Sequence, residues 1–101
     1  MVGQKRDIRP PERPGHRAAE RRWVGLVKEQ ECSVCAAPGP SDAHHIKQGN
    51  HYTVVALCKS CHQGSKMGWH GEKRAWAIAK MDEQDALNKT VENVFKSLNS
   101  Y

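Results

Sequence analysis

Aromatic side chains are scarce in this chain, with one Phe, two Tyr and three Trp among 101 residues, and only 38% of the residues are hydrophobic. A core that thin fills one small domain and usually needs a staple: disulfides, a structural metal or a partner subunit. Long apolar runs are missing too. Nothing approaches the roughly 18 residues that a membrane-spanning helix requires, so no membrane partner is expected. Met1 to Arg6 is charged and polar with no hydrophobic segment behind it, unlike a secretory signal. The expectation is a cytoplasmic, reducing location, where thiols bind metal more often than they oxidise.

What the chain does have is four cysteines in two Cys-x-x-Cys pairs, Cys32/Cys35 and Cys58/Cys61, with 22 residues between them. Two such turns bring four sulfurs within reach of one tetrahedral zinc at about 2.3 Å each. Structural zinc adds on the order of 10 kcal/mol to folding, more than so small a core can spare. Paired disulfides are the alternative reading of the same residues. A four-thiolate sphere is closed to water and substrate, so it accounts for folding and not for chemistry.

Chemistry is the province of the histidines. Six are present, at positions 16, 44, 45, 51, 62 and 70. His44 and His45 are adjacent in Ala43-His44-His45-Ile46, and His62 directly follows Cys61. His70 comes eight residues later, behind a glycine-containing loop. His44, His62 and His70 are candidates to converge on one divalent ion that keeps open positions. His45 is then the candidate general base, because a neutral imidazole titrates near working pH. The bland alternative makes His62 a spare zinc ligand and His70 a surface residue.

The patterning predicts an α+β domain over residues 16–101 behind an extended basic arm, residues 1–15, that is rich in proline and glycine. From Arg17, helical spacing of Ala19, Trp23 and Leu26/Val27 predicts a helix of about three turns. Ala36 to Pro40 reads as a turn. Asp42–Ile46 and Tyr52–Leu57 read as the strands of a β-hairpin closed around Gln48-Gly49-Asn50. Residues 63–71 read as a loop or broken helix, and Glu72–Lys80 as a helix. A last helix starts after Asp82 as N-cap, with Leu87, Val91, Val94, Phe95 and Leu98 as its apolar stripe.

Charge is uneven. The net charge is +5, and residues 1–22 hold seven cations against three carboxylates. Such a segment favours a polyanion through counterion release. Lys5, Arg6, Arg9 and Arg13 on the arm, with the face near Lys47, Lys59, Lys66 and Lys73, are the candidate phosphate contacts, gripping without reading sequence.

These motifs resemble a known group. Cys32-x-x-Cys35, Ala43-His44-His45-Ile46 and Leu57-Cys58-x-x-Cys61-His62 are similar to those of the HNH, or ββα-metal, nucleases. The continuation Gln63-Gly-Ser-Lys-Met-Gly-Trp-His70-Gly71 most resembles the phage recombination-enhancement, RecA-dependent nucleases. The likeness covers roughly residues 20–98. It implies a small zinc-braced ββα-metal fold and metal-dependent hydrolysis of DNA. His45 would be the general base, His44, His62 and His70 the catalytic metal ligands, and the four cysteines the structural zinc set. Magnesium or manganese would be the working ion, with zinc able to occupy the site. The implied partners are DNA and a RecA–DNA filament, in the cytoplasm of a bacterial host. One departure stands out: the position of the superfamily's central asparagine holds Thr53, and Asn50 is out of register in the turn. Orientation of the base is then vacant, or falls to a backbone carbonyl or to Thr53. The competing readings are a non-enzymatic zinc-ribbon module that binds nucleic acid or protein, and a catalytically dead nuclease kept as a scaffold.

Overall fold

The structure, a computed structural model, describes residues 14–99. Its elements run α1 (Pro14–Lys28), β1 (Asp42–His45), β2 (Val54–Leu57), α2 (Lys59–Gln63), α3 (Arg74–Ala79) and α4 (Glu83–Leu98). The class is α+β, as expected. Among the described residues no helix is long and apolar enough to cross a membrane.

The hairpin is the middle layer. β1 and β2 pair antiparallel in the register Asp42↔Leu57, Ala43↔Ala56, His44↔Val55 and His45↔Val54. Partners across such a ladder share a face, and successive residues alternate. Val54 and Ala56 therefore meet Val27 of α1 and Val94 of α4 on one side. Val55 and Leu57 meet Cys32, Cys61, Trp76 and Ala86 on the other. All four β2 residues are fully buried, which is why this strand is a continuous apolar run and not an alternating one. The same alternation sends His44 and Asp42 to the cysteine face and His45 to the α1 face.

β2 is tied at its outer edge by side chains and a loop. The Ala56 N–H donates to Thr90 Oγ1 at 3.1 Å, and the Ala56 carbonyl accepts from the Ser33 N–H at 2.9 Å. The Ser33 and Thr90 hydroxyls complete the link at 2.6 Å. Thr90 thus joins the first cysteine turn, the sheet and α4.

Several boundaries differ from expectation. α1 begins at Pro14, inside the stretch expected as arm, because proline is preorganised for a first helical turn. β2 starts at Val54: Tyr52 and Thr53 stay in the turn, where the Tyr52 carbonyl accepts from Trp23 Nε1 at 3.0 Å. α2 does not follow from the residue patterning, although a ββα fold implies a helix after the hairpin. It is five residues long and is capped by the Cys58 sulfur, which accepts from the Cys61 N–H at 3.4 Å. α3 is shorter than Glu72–Lys80, because Lys73 and Lys80 both take left-handed backbone angles at its ends, φ 60 and φ 58.

α4 starts where predicted, with a reciprocal capping box between Asp82 and Asp85. The face it buries is a correction. Of the expected stripe, Val94 is buried and Leu87 packs against the core, joined by Ala86 and Thr90, while Val91, Phe95 and Leu98 stand exposed, Phe95 at 66%. The hydrogen bonds of Thr90 to β2 and the first cysteine turn set the helix's rotation. Small side chains at this position let the backbone come close, and the larger ones fall to the flank.

Candidate metal centre

The four cysteine sulfurs lie within 4.8 Å of one another. All four are free thiols, and Cys35 Sγ and Cys58 Sγ are 3.7 Å apart. The disulfide reading is therefore overturned, since an S–S bond is about 2.05 Å long. A tetrahedron with zinc–sulfur bonds of about 2.3 Å has edges of about 3.8 Å, which the Cys35–Cys58 separation matches. Burial, then the neighbouring sulfurs, pushes the Cys61 thiol far up from its ordinary value. A coordinated cation reverses that, because it deprotonates the thiols it binds. The donor set thus fits one structural zinc.

A second cluster adjoins the first through the Cys61–His62 step. One ring nitrogen from each of His44, His62 and His70 falls within a common 4.8 Å span. The ring centroids form a near-equilateral triangle, with sides of 5.1, 5.2 and 5.0 Å. Three different segments build it. His44 comes from β1 and is buried, His62 from α2 and is partly buried, and His70 from the following loop and is exposed. The cluster therefore opens to solvent on the His70 side.

The loop that returns His70 is made by backbone contacts. Trp69 N donates to the Cys61 carbonyl at 2.9 Å, and His70 N to the His62 carbonyl at 3.1 Å. Gly68 permits the approach: a Cβ there would lie 2.6 Å from Gly64 N and 2.8 Å from the His62 carbonyl. Trp76, almost wholly buried, donates from Nε1 to the same Cys61 carbonyl at 2.9 Å.

Two carboxylates that the sequence reading did not single out hold two of these rings. His44 Nε2 donates to Glu83 at 2.5 Å, and His62 Nδ1 donates to Asp42 at 3.1 Å. Hydrogen bonds from His62 and Lys59 keep the Asp42 carboxyl below its ordinary range, hence ionised. A carboxylate hydrogen-bonded to the ring is the usual support for a metal-binding histidine. Three imidazoles suit borderline ions such as zinc or nickel, whereas magnesium and manganese prefer oxygen donors. The donor chemistry thus fits a transition ion better than the magnesium or manganese that the resemblance implies.

His45 lies on the other face. Its Nε2 is 3.1 Å from His51 Nδ1, and the two rings meet edge to face. Burial, then the charges of His51 and His44, holds His45 below the ordinary histidine range, so its neutral, proton-accepting form prevails. Thr53 does not reach it: the Thr53 hydroxyl donates to the Asn50 carbonyl at 3.4 Å. His51, for which no role was expected, is the side chain in contact, and the Ala43 carbonyl accepts from the same His45 ring. Both rings look onto a cavity of about 580 Å³ against α1.

The expected phosphate contacts divide. Lys5, Arg6, Arg9 and Arg13 lie outside the described residues. Lys47 and Lys66 are exposed on two separate loops. Lys59 is paired with Asp42 at 3.1 Å, and Lys73 sits over the Trp69 ring at 4.1 Å.

Compared with known proteins, the chain matches no family model, no curated protein and no solved structure.

Proposed function

We propose that this protein is a metal-dependent nuclease of the HNH type that hydrolyses phosphodiester bonds in DNA. The observation that carries this reading is the divergence of two consecutive residues. His44 enters the three-imidazole cluster on one face of β1, and His45 enters the α1 cavity on the other. In-line displacement at phosphorus needs the attacking and leaving oxygens on opposite sides. Among the described residues β1 carries no further strand on its outer edge, and a phosphate laid over that edge would have His45 toward one face and the histidine cluster toward the other.

His45 takes the proton from the attacking water. The Ala43 carbonyl and the His51 ring hold the imidazole in place, the division of labour in which orienting groups position a base. The water oxygen bonds to phosphorus as the bond to the 3′-oxygen breaks. His44, His62 and His70 would hold a divalent ion, which would supply Lewis-acid stabilisation of charge on the phosphate. Asp42 and Glu83 keep two of those rings oriented.

No base-reading helix flanks the site among the described residues, so little sequence preference is expected. Targeting then falls to a partner, and the resemblance points to a RecA–DNA filament. Nicking of supercoiled plasmid, with zinc, nickel, manganese or magnesium and with or without a RecA filament, tests this. His45→Ala and His70→Ala should each abolish nicking while one zinc per chain stays bound. Nicking by His45→Ala at the wild-type rate would refute the assigned base. A wild-type protein that fails to nick with every one of these ions, with or without RecA, leaves a zinc-braced binding module.

A further inference from the structure

The cavity beside His45 is lined on its helical side by Arg17, Arg21 and Lys28, with Glu20 as the one carboxylate. Arg17, Arg21, Gly25 and Lys28 fall at i, i+4, i+8 and i+11 and so form one stripe of α1. Eleven residues of helix rise roughly 16 Å, about five axial steps of ~3.4 Å along a duplex. Across the cavity stand His45 and His51. A second hollow of about 270 Å³ shares Glu20 and His51 and continues past Asn50 and Tyr52. The two form a trough between α1 and the hairpin turn, and the Trp23–Tyr52 hydrogen bond fixes its width.

Gly25 gives this trough its second, independent mark. Glycine in a helix interior costs about 1 kcal/mol relative to alanine. Close packing usually explains such a residue, but here an added Cβ would meet nothing within 4 Å. What the missing side chain leaves is open space, midway along a row of cations and next to the His45 ring.

We propose that this trough seats the sugar–phosphate backbone of a DNA strand, with Arg17, Arg21 and Lys28 on its phosphates and Gly25 leaving room for the chain. The inference deepens the nuclease reading and rests on it for the identity of the strand as substrate. Binding in the trough needs neither cleavage nor an ion at the histidine cluster, so the two are separable.

The test is fluorescence anisotropy of a labelled single strand and of its duplex. It uses the full-length, zinc-bearing protein with no added divalent ion, over a range of salt. The double variant Arg21→Ala/Lys28→Ala should bind at least tenfold more weakly. Its slope of log affinity against log salt should be shallower by about 2 on duplex or about 1.4 on single strand, the loss of two phosphate contacts. Gly25→Leu should weaken binding comparably with the slope nearly unchanged, while Gly25→Ala binds like wild type. Lys89→Ala/Lys96→Ala removes the same charge from α4, where both lysines pair with Glu92, and should leave affinity within about twofold. Circular dichroism confirms that each variant is folded. Wild-type affinity and slope in the double variant, or unimpaired binding by Gly25→Leu, overturns the proposal, as does a wild-type protein that binds neither DNA form. Trough-dependent binding without nicking sinks the nuclease reading and keeps the trough. Nicking with trough variants unaffected does the reverse.

Discussion

The two ligand clusters share a peptide bond, Cys61–His62, yet they are built in opposite ways. The sulfur cluster is rooted in the core at two of its four residues, while Cys58 is partly buried and Cys35 exposed. Cys32 and Cys61 are buried beside Trp76 and Leu57, and the intervening Ser33 is hydrogen-bonded to both Ala56 and Thr90. The imidazole cluster hangs at the margin, graded from buried His44 to exposed His70, and takes its order from carboxylates. Four thiolates close a tetrahedral sphere and stabilise the fold they join, whereas three imidazoles leave a position open to an exchangeable partner. The contrast separates what folds this molecule from what it offers to solvent.

That contrast can be broken from the core side first. Cys61→Ser should cost on the order of 10 kcal/mol, which exceeds the stability of most small domains. The variant should lack cooperative thermal unfolding by circular dichroism and should retain no tightly bound zinc by elemental analysis. His70→Ala is the matching cut at the rim. It should leave the melting curve of the zinc-bearing protein within a few degrees of wild type, yet abolish the second equivalent of nickel or zinc seen by titration calorimetry.

Smaller changes sharpen the comparison. Asp42→Asn and Glu83→Gln should each weaken ion binding at the histidine cluster by about 10- to 100-fold, with the four-cysteine zinc unaffected in a competition assay with a chromophoric chelator. Equal weakening of both ions would show that the clusters are one unit. The least effect is expected on the other face. Gly25→Ala should raise stability by roughly 0.5–1 kcal/mol, read as a higher denaturation midpoint at unchanged slope.

What the sequence made legible follows from how local the governing physics is. Both cysteine turns, the Asp82 cap and the hairpin are short-range events, and each was readable from neighbours in the chain. The convergence of His44, His62 and His70 was also foreseeable, because the second cysteine turn anchors one ring and a glycine-containing loop returns another. The pairings of Asp42 with His62, Glu83 with His44, and His51 with His45 were not, since each closes through space between segments whose approach depends on packing. The rotation of α4 was misjudged for a related reason. Apolar periodicity pointed to Phe95 and Leu98, but the Thr90 hydroxyl had partners on β2 and the first cysteine turn that outweighed the larger side chains. α2 escaped the residue patterning because a cysteine sulfur, and not one of the oxygen-bearing caps, starts it.

The fastening of Ala56 has a bearing on how copies of this protein meet one another. An unprotected strand margin is a template on which a neighbouring chain can grow a sheet, the first step toward fibrils. At the midpoint of the most apolar strand in this molecule, both backbone groups are already occupied by Ser33 and Thr90. Loosening that plug would free the β2 edge for pairing with a neighbouring copy.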